Sequence, residues 1–148
     1  MKRTDRISIH RKLKSLMKYL NALKNFESLQ LNEYLNNFST QLAVERLLEL
    51  VIQASLDSNR LLLKRLHESS PKENSEVFLA SARFGLITLE LGEQLAEFGK
   101  FRNVLAHLYE DIDPVEVFYT IQETLEIYPQ YVKQIKTYVD SLEVEDEL

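Results

Sequence analysis

Apolar residues return every three or four positions near the start of the chain. The repeat is formed by Ile9, Leu13, Leu16, Leu20 and Leu23. An α-helix turns 100° per residue, so this spacing places the five side chains on one stripe of a helix. The pattern predicts an amphipathic helix over roughly residues 6–25.

Residues 26–37 are predicted to form a connection with a short turn around residues 32–35. A longer and more apolar pattern follows this connection. Ser39 or Thr40 can cap a helix that continues to about His67, where residues 69–72 break it. Its apolar positions are Ala43, Leu47, Leu50, Val51, Ala54, Leu56, Leu61, Leu62 and Leu63. Its length and hydrophobicity predict the central helix of the core.

The third quarter of the chain predicts shorter helices. One starts near Ser75 and ends near Gly85, and the next covers about residues 88–97 with Thr88 as its candidate cap. Gly99 separates that helix from another over about residues 100–109. The alternative is that the two segments form one kinked helix.

The last predicted helix has a clear start. Asp113 can serve as the N-cap and Pro114 occupies the first helical position. Its apolar positions are Val115, Phe118, Ile121, Leu125, Tyr128, Val132, Ile135 and Val139. Pro129 falls inside this pattern and predicts a kink or a short break. Residues 143–148 form an acidic tail that we expect to fray.

The composition agrees with an all-α chain. Only three Gly and three Pro occur in 148 residues, too few for a fold with many tight turns. No strand alternation appears. We therefore expect residues 1–148 to form a single domain, an antiparallel bundle of four to five helices.

The composition also excludes several classes of site and location. Cysteine is absent, which excludes disulfides, thiolate metal sites and cysteine nucleophiles and is compatible with the cytoplasm. No apolar run reaches the length of a membrane span, and no signal-peptide core follows the basic N-terminus. We expect a cytoplasmic protein without membrane contact.

Charge is distributed unevenly along the chain. Residues 1–24 hold eight Lys or Arg against one acid, Asp5, so their formal charge is +7 and the remaining residues account for −12 of the total of −5. A basic helix on an acidic body could guide a polyanion such as RNA. It is also typical of a solvated amphipathic face, or of a segment that packs on an acidic partner.

Residues 102–109 concentrate the reactive side chains of the sequence. Arg102 can hold a phosphate bidentately, and His107 can transfer a proton near neutral pH. Asn103 lies four residues before His107 and shares its helix face, whereas Arg102 and His107 are about 140° apart. Arg102 and Tyr109 share a face about 10 Å apart if the helix continues. The cluster points to chemistry on a phosphodiester.

The 140° separation leaves three ways for Arg102 and His107 to cooperate: a long reach by the arginine, fraying of the helix end, or completion of the site by a second chain. Metal-free RNA cleavage needs both a base and an acid. A two-fold dimer would supply two copies of His107 and of Arg102, so we expect a homodimer.

Each of these residues also has an ordinary structural explanation. A histidine near a helix C-terminus complements the helix dipole, and a single arginine is usually a surface charge. His107 with Asp111, Glu110 and Asp113 could bind a divalent ion, but acids are favoured before a helix start in any case, and we predict no metal site.

The motif Arg-Asn-x-x-x-His-x-Tyr at residues 102–109 resembles that of the HepT family of HEPN-domain proteins, as does the segment Glu-Arg-Leu-Leu-Glu-Leu at residues 45–50. The likeness covers roughly residues 5–140. It implies a dimeric, metal-independent endoribonuclease, the toxin of a type VII toxin–antitoxin system, with tRNA among the targets. Arg102 and His107 would be catalytic, with Asn103 supporting them.

The resemblance also implies a partner and a modification. An MNT-type nucleotidyltransferase antitoxin would transfer AMP from ATP onto Tyr109, while the toxin itself would need no cofactor. AMP units attached to Tyr109 could then cover the Arg102 phosphate site. Asp57, on the predicted central helix, is a weaker candidate that could orient His107 or be an ordinary polar contact.

Two non-catalytic functions remain open at this point. The chain could be a helical module that binds RNA or a nucleotidyltransferase without cutting RNA. It could also be a structural dimerisation module, since the second predicted helix is rich in leucine.

Overall fold

The computed structural model describes residues 1–67, 69–107 and 109–144, and of Tyr109 only the backbone. In this part of the chain the regular elements are helices. They are α1 (Arg3–Leu23), α2 (Leu31–Leu35), α3 (Phe38–His67), α4 (Asn74–Arg83), α5 (Leu89–His107) and α6 (Pro114–Ser141). Short 3-10 turns at Lys24–Phe26 and Tyr109–Asp111 follow α1 and α5. The predicted all-α bundle is confirmed, with the single-turn α2 added to five longer helices.

Helix α3 is the centre of the bundle, as its apolar pattern predicts. It packs against each of the other α-helices. Its buried side chains include Val44, Leu48, Val51, Ile52, Leu56, Leu62 and Leu63. At 30 residues it spans about 45 Å.

The direction of the helices is fixed by contacts at their ends. Arg65 near the end of α3 pairs with Asp5 near the start of α1, 3.4 Å apart, so these two helices are antiparallel. Arg6 donates a 2.6 Å hydrogen bond to the carbonyl oxygen of Val139, which sets α6 antiparallel to α1. Buried hydroxyls join α3 to α6: the Tyr128 hydroxyl lies 2.9 Å from that of Ser55, and Tyr131 donates to Asn59 Oδ1 at 2.7 Å.

Most of the predicted helix boundaries are confirmed by their caps. Asp113 Oδ1 accepts from the Val115 amide at 2.9 Å, and the Leu91 amide donates to Thr88 Oγ1 at 3.3 Å. Gly85 follows α4 with φ of +80°, a conformation that glycine adopts without strain. The predicted cap of α3 is wrong: Asn37 Oδ1 accepts from the Thr40 amide, so Asn37 replaces Ser39 or Thr40 in this role.

Neither of two predicted breaks, at Gly99 and at Pro129, interrupts its helix. Gly99 does not separate two helices: α5 runs without a break from Leu89 to His107, in line with the alternative of a single helix. Pro129 does not break α6; it lies on the exposed side of that helix, where water can solvate the carbonyl group that its missing N–H leaves unbonded.

The remaining expectations on fold concern the tail and the membrane. Residues 145–148, most of the expected frayed tail, lie outside the described residues. Within the described part, no helix combines the length and the hydrophobicity required to cross a bilayer.

Candidate active site at the end of α5

The last two turns of α5 carry three of the predicted site residues. Arg102 and Asn103 are half-buried, and His107 is exposed at the final residue of the helix. Phe101 and Leu105 are buried on the other side and hold this end of α5 in the core. The end of the helix therefore presents a cation, an amide and an imidazole from a fixed backbone.

Asn103 is anchored by a hydrogen-bonded relay across three elements. Asn74 at the start of α4 donates from Nδ2 to Asn103 Oδ1 at 2.9 Å. The Oδ1 atom of Asn74 accepts from Arg60 of α3 at 2.7 Å. Arg60 also donates to the carbonyl oxygens of Pro71 and Lys72, at 2.6 and 3.0 Å. This relay fixes the orientation of α5 near its end.

Gly99 makes that relay possible. A Cβ atom at Gly99 would lie 2.9 Å from the backbone carbon of Asn74 and 2.9 Å from the nitrogen of Ser75. Only a residue without a side chain lets α4 approach α5 this closely. Because Asn103 is one turn further along the same helix face, the same approach places Asn74 beside it.

Arg102 retains hydrogen-bonding capacity. Its Nε atom is buried, and no hydrogen-bond partner for it exists among the described residues. A buried donor without a partner costs about 1–3 kcal/mol. A phosphate group would match the charge and the bidentate geometry of the guanidinium.

Arg102 and His107 are not brought together by fraying of the helix. Helix α5 remains helical as far as His107, so the angular separation of about 140° applies within one chain. Two of the three explanations remain: either Arg102 reaches around the helix, or a second chain completes the site.

Tyr109 lies beyond the end of α5. Its backbone begins the 3-10 turn Tyr109–Asp111, and its side chain lies outside the described residues. The predicted helix to residue 109 is two residues too long, so the argument that Tyr109 shares a helix face with Arg102 does not hold.

Asp57 lies elsewhere on the molecule. It accepts a 2.7 Å hydrogen bond from Gln53 of the same helix and lines a groove between α1 and α3 with Arg11 and Lys12. No contact between Asp57 and His107 exists among the described residues of one chain. Its suggested role in orienting His107 stays a prediction.

The acidic residues after α5 have other partners or remain in solvent. Asp113 caps α6, while Glu110 and Asp111 are exposed. Within the described residues, no three His, Asp or Glu side chains converge into a group that could hold a metal ion.

The comparisons with known proteins bear directly on this site. The family model for HepT-like ribonucleases matches residues 16–135. A tRNA nuclease HepT from Aphanizomenon flos-aquae (strain 2012/KM1/D3) is 39% identical over 147 residues, covering 99% of this chain and 100% of the relative. The chain belongs to the HepT-like ribonuclease family. It is accordingly a ribonuclease, and the predicted resemblance is confirmed.

Solved structures agree with the HepT-like fold. A Bacillus subtilis cytosolic protein of unknown function, YutE, superposes with a TM-score of 0.80 at 20% identity, over 93% of this chain and 92% of that one. A toxin–antitoxin with AMP-PNP gives 0.74 at 20% identity, over 86% and 96%. The tri-AMPylated Shewanella oneidensis HEPN toxin in complex with its MNT antitoxin gives 0.63 at 22% identity, over 90% and 95%.

The sequence alone did not identify two residues that support this candidate site. Arg60 and Asn74 belong to no catalytic pattern; Arg60 donates to Asn74, and Asn74 donates to Asn103. The only local signal is that Asn74 directly precedes the predicted start of a helix near Ser75. That signal indicates a helix end but no contact with residue 103.

Proposed function

We propose that this HepT-like ribonuclease is the toxin of a toxin–antitoxin pair and cleaves RNA with Arg102 and His107 without a metal ion. The observation that carries the proposal is the half-buried Arg102, whose Nε atom has no partner among the described residues, on the same helix end as the exposed His107. Transfer RNA is the proposed substrate because the full-length relative is a tRNA nuclease.

The proposed reaction uses two protomers. One His107 takes the proton of a ribose 2′-hydroxyl, whose oxygen attacks the adjacent phosphorus. The His107 of the second protomer protonates the departing 5′-oxygen. The products are a 2′,3′-cyclic phosphate and a 5′-hydroxyl. The guanidinium of Arg102 stabilises the charge that develops on the phosphoryl oxygens.

Asn103 has a supporting role in this proposal. Its amide oxygen is already occupied by Asn74. We therefore assign it the positioning of the α5 end, one turn from His107, with Arg60 and Asn74 acting behind it.

Incubation of the pure protein with bulk tRNA tests the activity. We expect His107→Ala and Arg102→Ala to lower kcat/KM by about 10²–10⁴-fold, the usual contribution of a proton-transfer or charge-stabilising group. The exposed Arg83→Ala serves as the matched control and should keep the wild-type rate. Cleavage should persist in EDTA and leave 2′,3′-cyclic phosphate ends. Activity lost with chelator, or products with 5′-phosphates, would contradict the mechanism; RNA binding without cleavage would favour a non-catalytic module.

Regulation by a partner forms the second half of the proposal. An MNT-type nucleotidyltransferase antitoxin transfers AMP to Tyr109: the phenol oxygen attacks the α-phosphorus of ATP, pyrophosphate leaves and the phenolic proton is released. The support is the motif position of Tyr109 and the fold shared with an AMPylated HEPN toxin bound to an MNT antitoxin. The added phosphates would occupy the RNA site and stop cleavage.

Mass spectrometry of the protein after incubation with such an antitoxin and ATP tests this regulation. We expect a gain of one or more AMP units that is abolished by Tyr109→Phe and kept in Tyr119→Phe, whose side chain is 57% exposed on α6. Modified protein that still cleaves tRNA at the full rate would refute the blocking role.

A further inference from the structure

We infer that the exposed face of α1 is a docking surface for the sugar-phosphate backbone of a folded RNA, separate from the cleavage site. Its centre is a basic stripe formed by Arg11, Lys14 and Lys18. The inference rests on the proposed function and adds to it the surface that selects a large, folded substrate.

The basic stripe follows from the register of α1. Its three members are spaced by three and four residues, so they lie within about 60° of one another over about 10 Å of helix. All three are exposed. The buried stripe of α1 points to the opposite side of the helix; its members are Ile9, Leu13, Leu16, Leu20 and Leu23. Packing of α1 therefore turns these cations outward.

The charge of the basic stripe is not neutralised by the fold. Asp5, the sole acid of α1, is buried and pairs with Arg65 of α3. Within the described part of the chain, no carboxylate lies within ion-pair distance of Arg11, Lys14 or Lys18. Three outward cations that have no carboxylate partner in this part of the chain form a positive field that attracts a polyanion.

Neutral donors accompany the cations. Lys14 and Lys18 border a shallow hollow together with Ser15, Met17 and Asn21. Hydroxyl and amide groups beside lysine and arginine are the usual donors to phosphate oxygens. The acid Asp57 lies in the adjoining α1–α3 groove, which Arg11 also lines, and accepts a hydrogen bond from Gln53. We therefore centre the phosphate contacts on Lys14 and Lys18, with Arg11 at the edge of the groove.

The rest of the molecule offers RNA a less favourable surface. Residues 25–148 have a formal charge of −12. The groove between α5 and α6, on the flank of the motif helix, is lined by Glu97 and Glu123. Phosphates are repelled there, so charge complementarity favours α1 as the docking face.

The position of α1 determines which RNA can use it. Helix α1 packs on α3 and α6, whereas α5 packs mainly on α4 and α3, so α3 lies between the basic stripe and the motif. Packed helices have axes 8–10 Å apart, and two such layers separate the surfaces by roughly 16–20 Å. Within one protomer, a few nucleotides at the motif cannot reach α1 as well, but a folded RNA such as tRNA can.

The test replaces the basic stripe by the triple variant Arg11→Gln, Lys14→Gln, Lys18→Gln. The matched control removes three exposed lysines of α3 and α6: Lys64→Gln, Lys133→Gln, Lys136→Gln. The substrates are unmodified tRNA and a short single-stranded oligonucleotide that spans the mapped cut. Thermal unfolding of both triple variants checks that the fold is kept.

The triple variant should raise KM for tRNA about tenfold or more at nearly constant kcat, while the short oligonucleotide is cut at the wild-type rate. The slope of log binding constant against log salt should fall by about two to three, since each lost phosphate contact accounts for about 0.7–0.9. The control variant should change neither quantity.

Two outcomes would overturn the inference: a tRNA affinity within twofold of the wild type, or an equal loss on both substrates. Intact tRNA affinity with lost binding of the nucleotidyltransferase antitoxin would assign the stripe to a protein partner. Binding measured in a His107→Ala background keeps this test independent of cleavage. If the wild type cuts no RNA, the proposed function fails, while the binding result still decides the role of α1.

Discussion

Single side chains at the end of α5 divide into those proposed to meet the substrate and those that hold the helix. The Nε donor of Arg102 has no partner among the described residues, and His107 is exposed to solvent. Asn103 instead faces Asn74, which is in turn held by Arg60. One motif therefore combines two reactive groups with a fixed positioning group, because neighbouring residues of a helix point in different directions.

A double-mutant cycle on Asn74 and Asn103 tests the positioning role. Each single alanine variant should lose about 0.5–1.5 kcal/mol of unfolding free energy, and the double variant should lose less than the sum. Both should lower kcat for cleavage with little change in KM, although Asn74 is not expected to touch RNA. Asn25→Ala, at an exposed residue, is the control. Additive losses would show that the hydrogen bond does not couple the two residues.

At the level of elements, the contact between α4 and α5 determines where the motif lies. Gly99 allows the start of α4 to approach α5, and Gly92, two turns earlier, meets Ala82 and Phe78 of α4 in the same manner. A glycine inside a helix lowers helix propensity by about 1 kcal/mol relative to alanine. At Gly99 this cost is offset by the close approach that brings Asn74 to Asn103.

Gly99→Ala should therefore destabilise the protein despite its better helix propensity. The added Cβ meets backbone atoms of Asn74 and Ser75 that cannot rotate away, and overpacking of this kind costs about 1–3 kcal/mol. Cleavage should fall as well, because the two helices must separate.

Gly85→Ala is the matched control for this prediction. No atom lies within 4 Å of a Cβ at Gly85, so its cost of about 1–2 kcal/mol comes from the positive φ alone. Cleavage relative to folded protein should stay unchanged. Equal effects of the two variants on cleavage would contradict a special role for the α4–α5 contact.

For the whole molecule, the buried tyrosines of α6 make the unfolding free energy depend on pH. Burial raises the pKa of Tyr128 and of Tyr131 above the ordinary value near 10, and burial also raises that of Tyr34 beneath α6. These groups stay protonated in the folded chain and ionise in the unfolded chain. Their contribution to stability is complete below about pH 10 and is lost as the pH rises towards the folded-state values.

Urea unfolding between pH 8 and pH 11 checks this dependence. The unfolding free energy should fall above pH 10 by up to about 1.4 kcal/mol per pH unit for each buried phenol. Tyr128→Phe should be less stable at pH 8, since it loses the contact with Ser55, but should fall less steeply. The exposed Tyr119→Phe should keep the wild-type slope. Identical slopes in all three proteins would contradict the assignment.

The sequence by itself determined the helices, most of their caps and the family. The five apolar residues of α1, the cap at Asp113 and the motif at residues 102–109 are local signals, since periodicity and capping act within a few residues. The basic segment was also visible as a run of charges.

Only the tertiary structure decided which of these features meet. The bond between Asn74 and Asn103 joins residues 29 positions apart, and the contact of Tyr131 with Asn59 joins residues 72 apart. Such contacts leave no periodic trace in the chain. The same holds for Gly99, where the sequence left a helix boundary or a single helix open and the structure shows a packing contact within one helix. Helix formation is a property of neighbouring residues, whereas the site depends on how the helices pack.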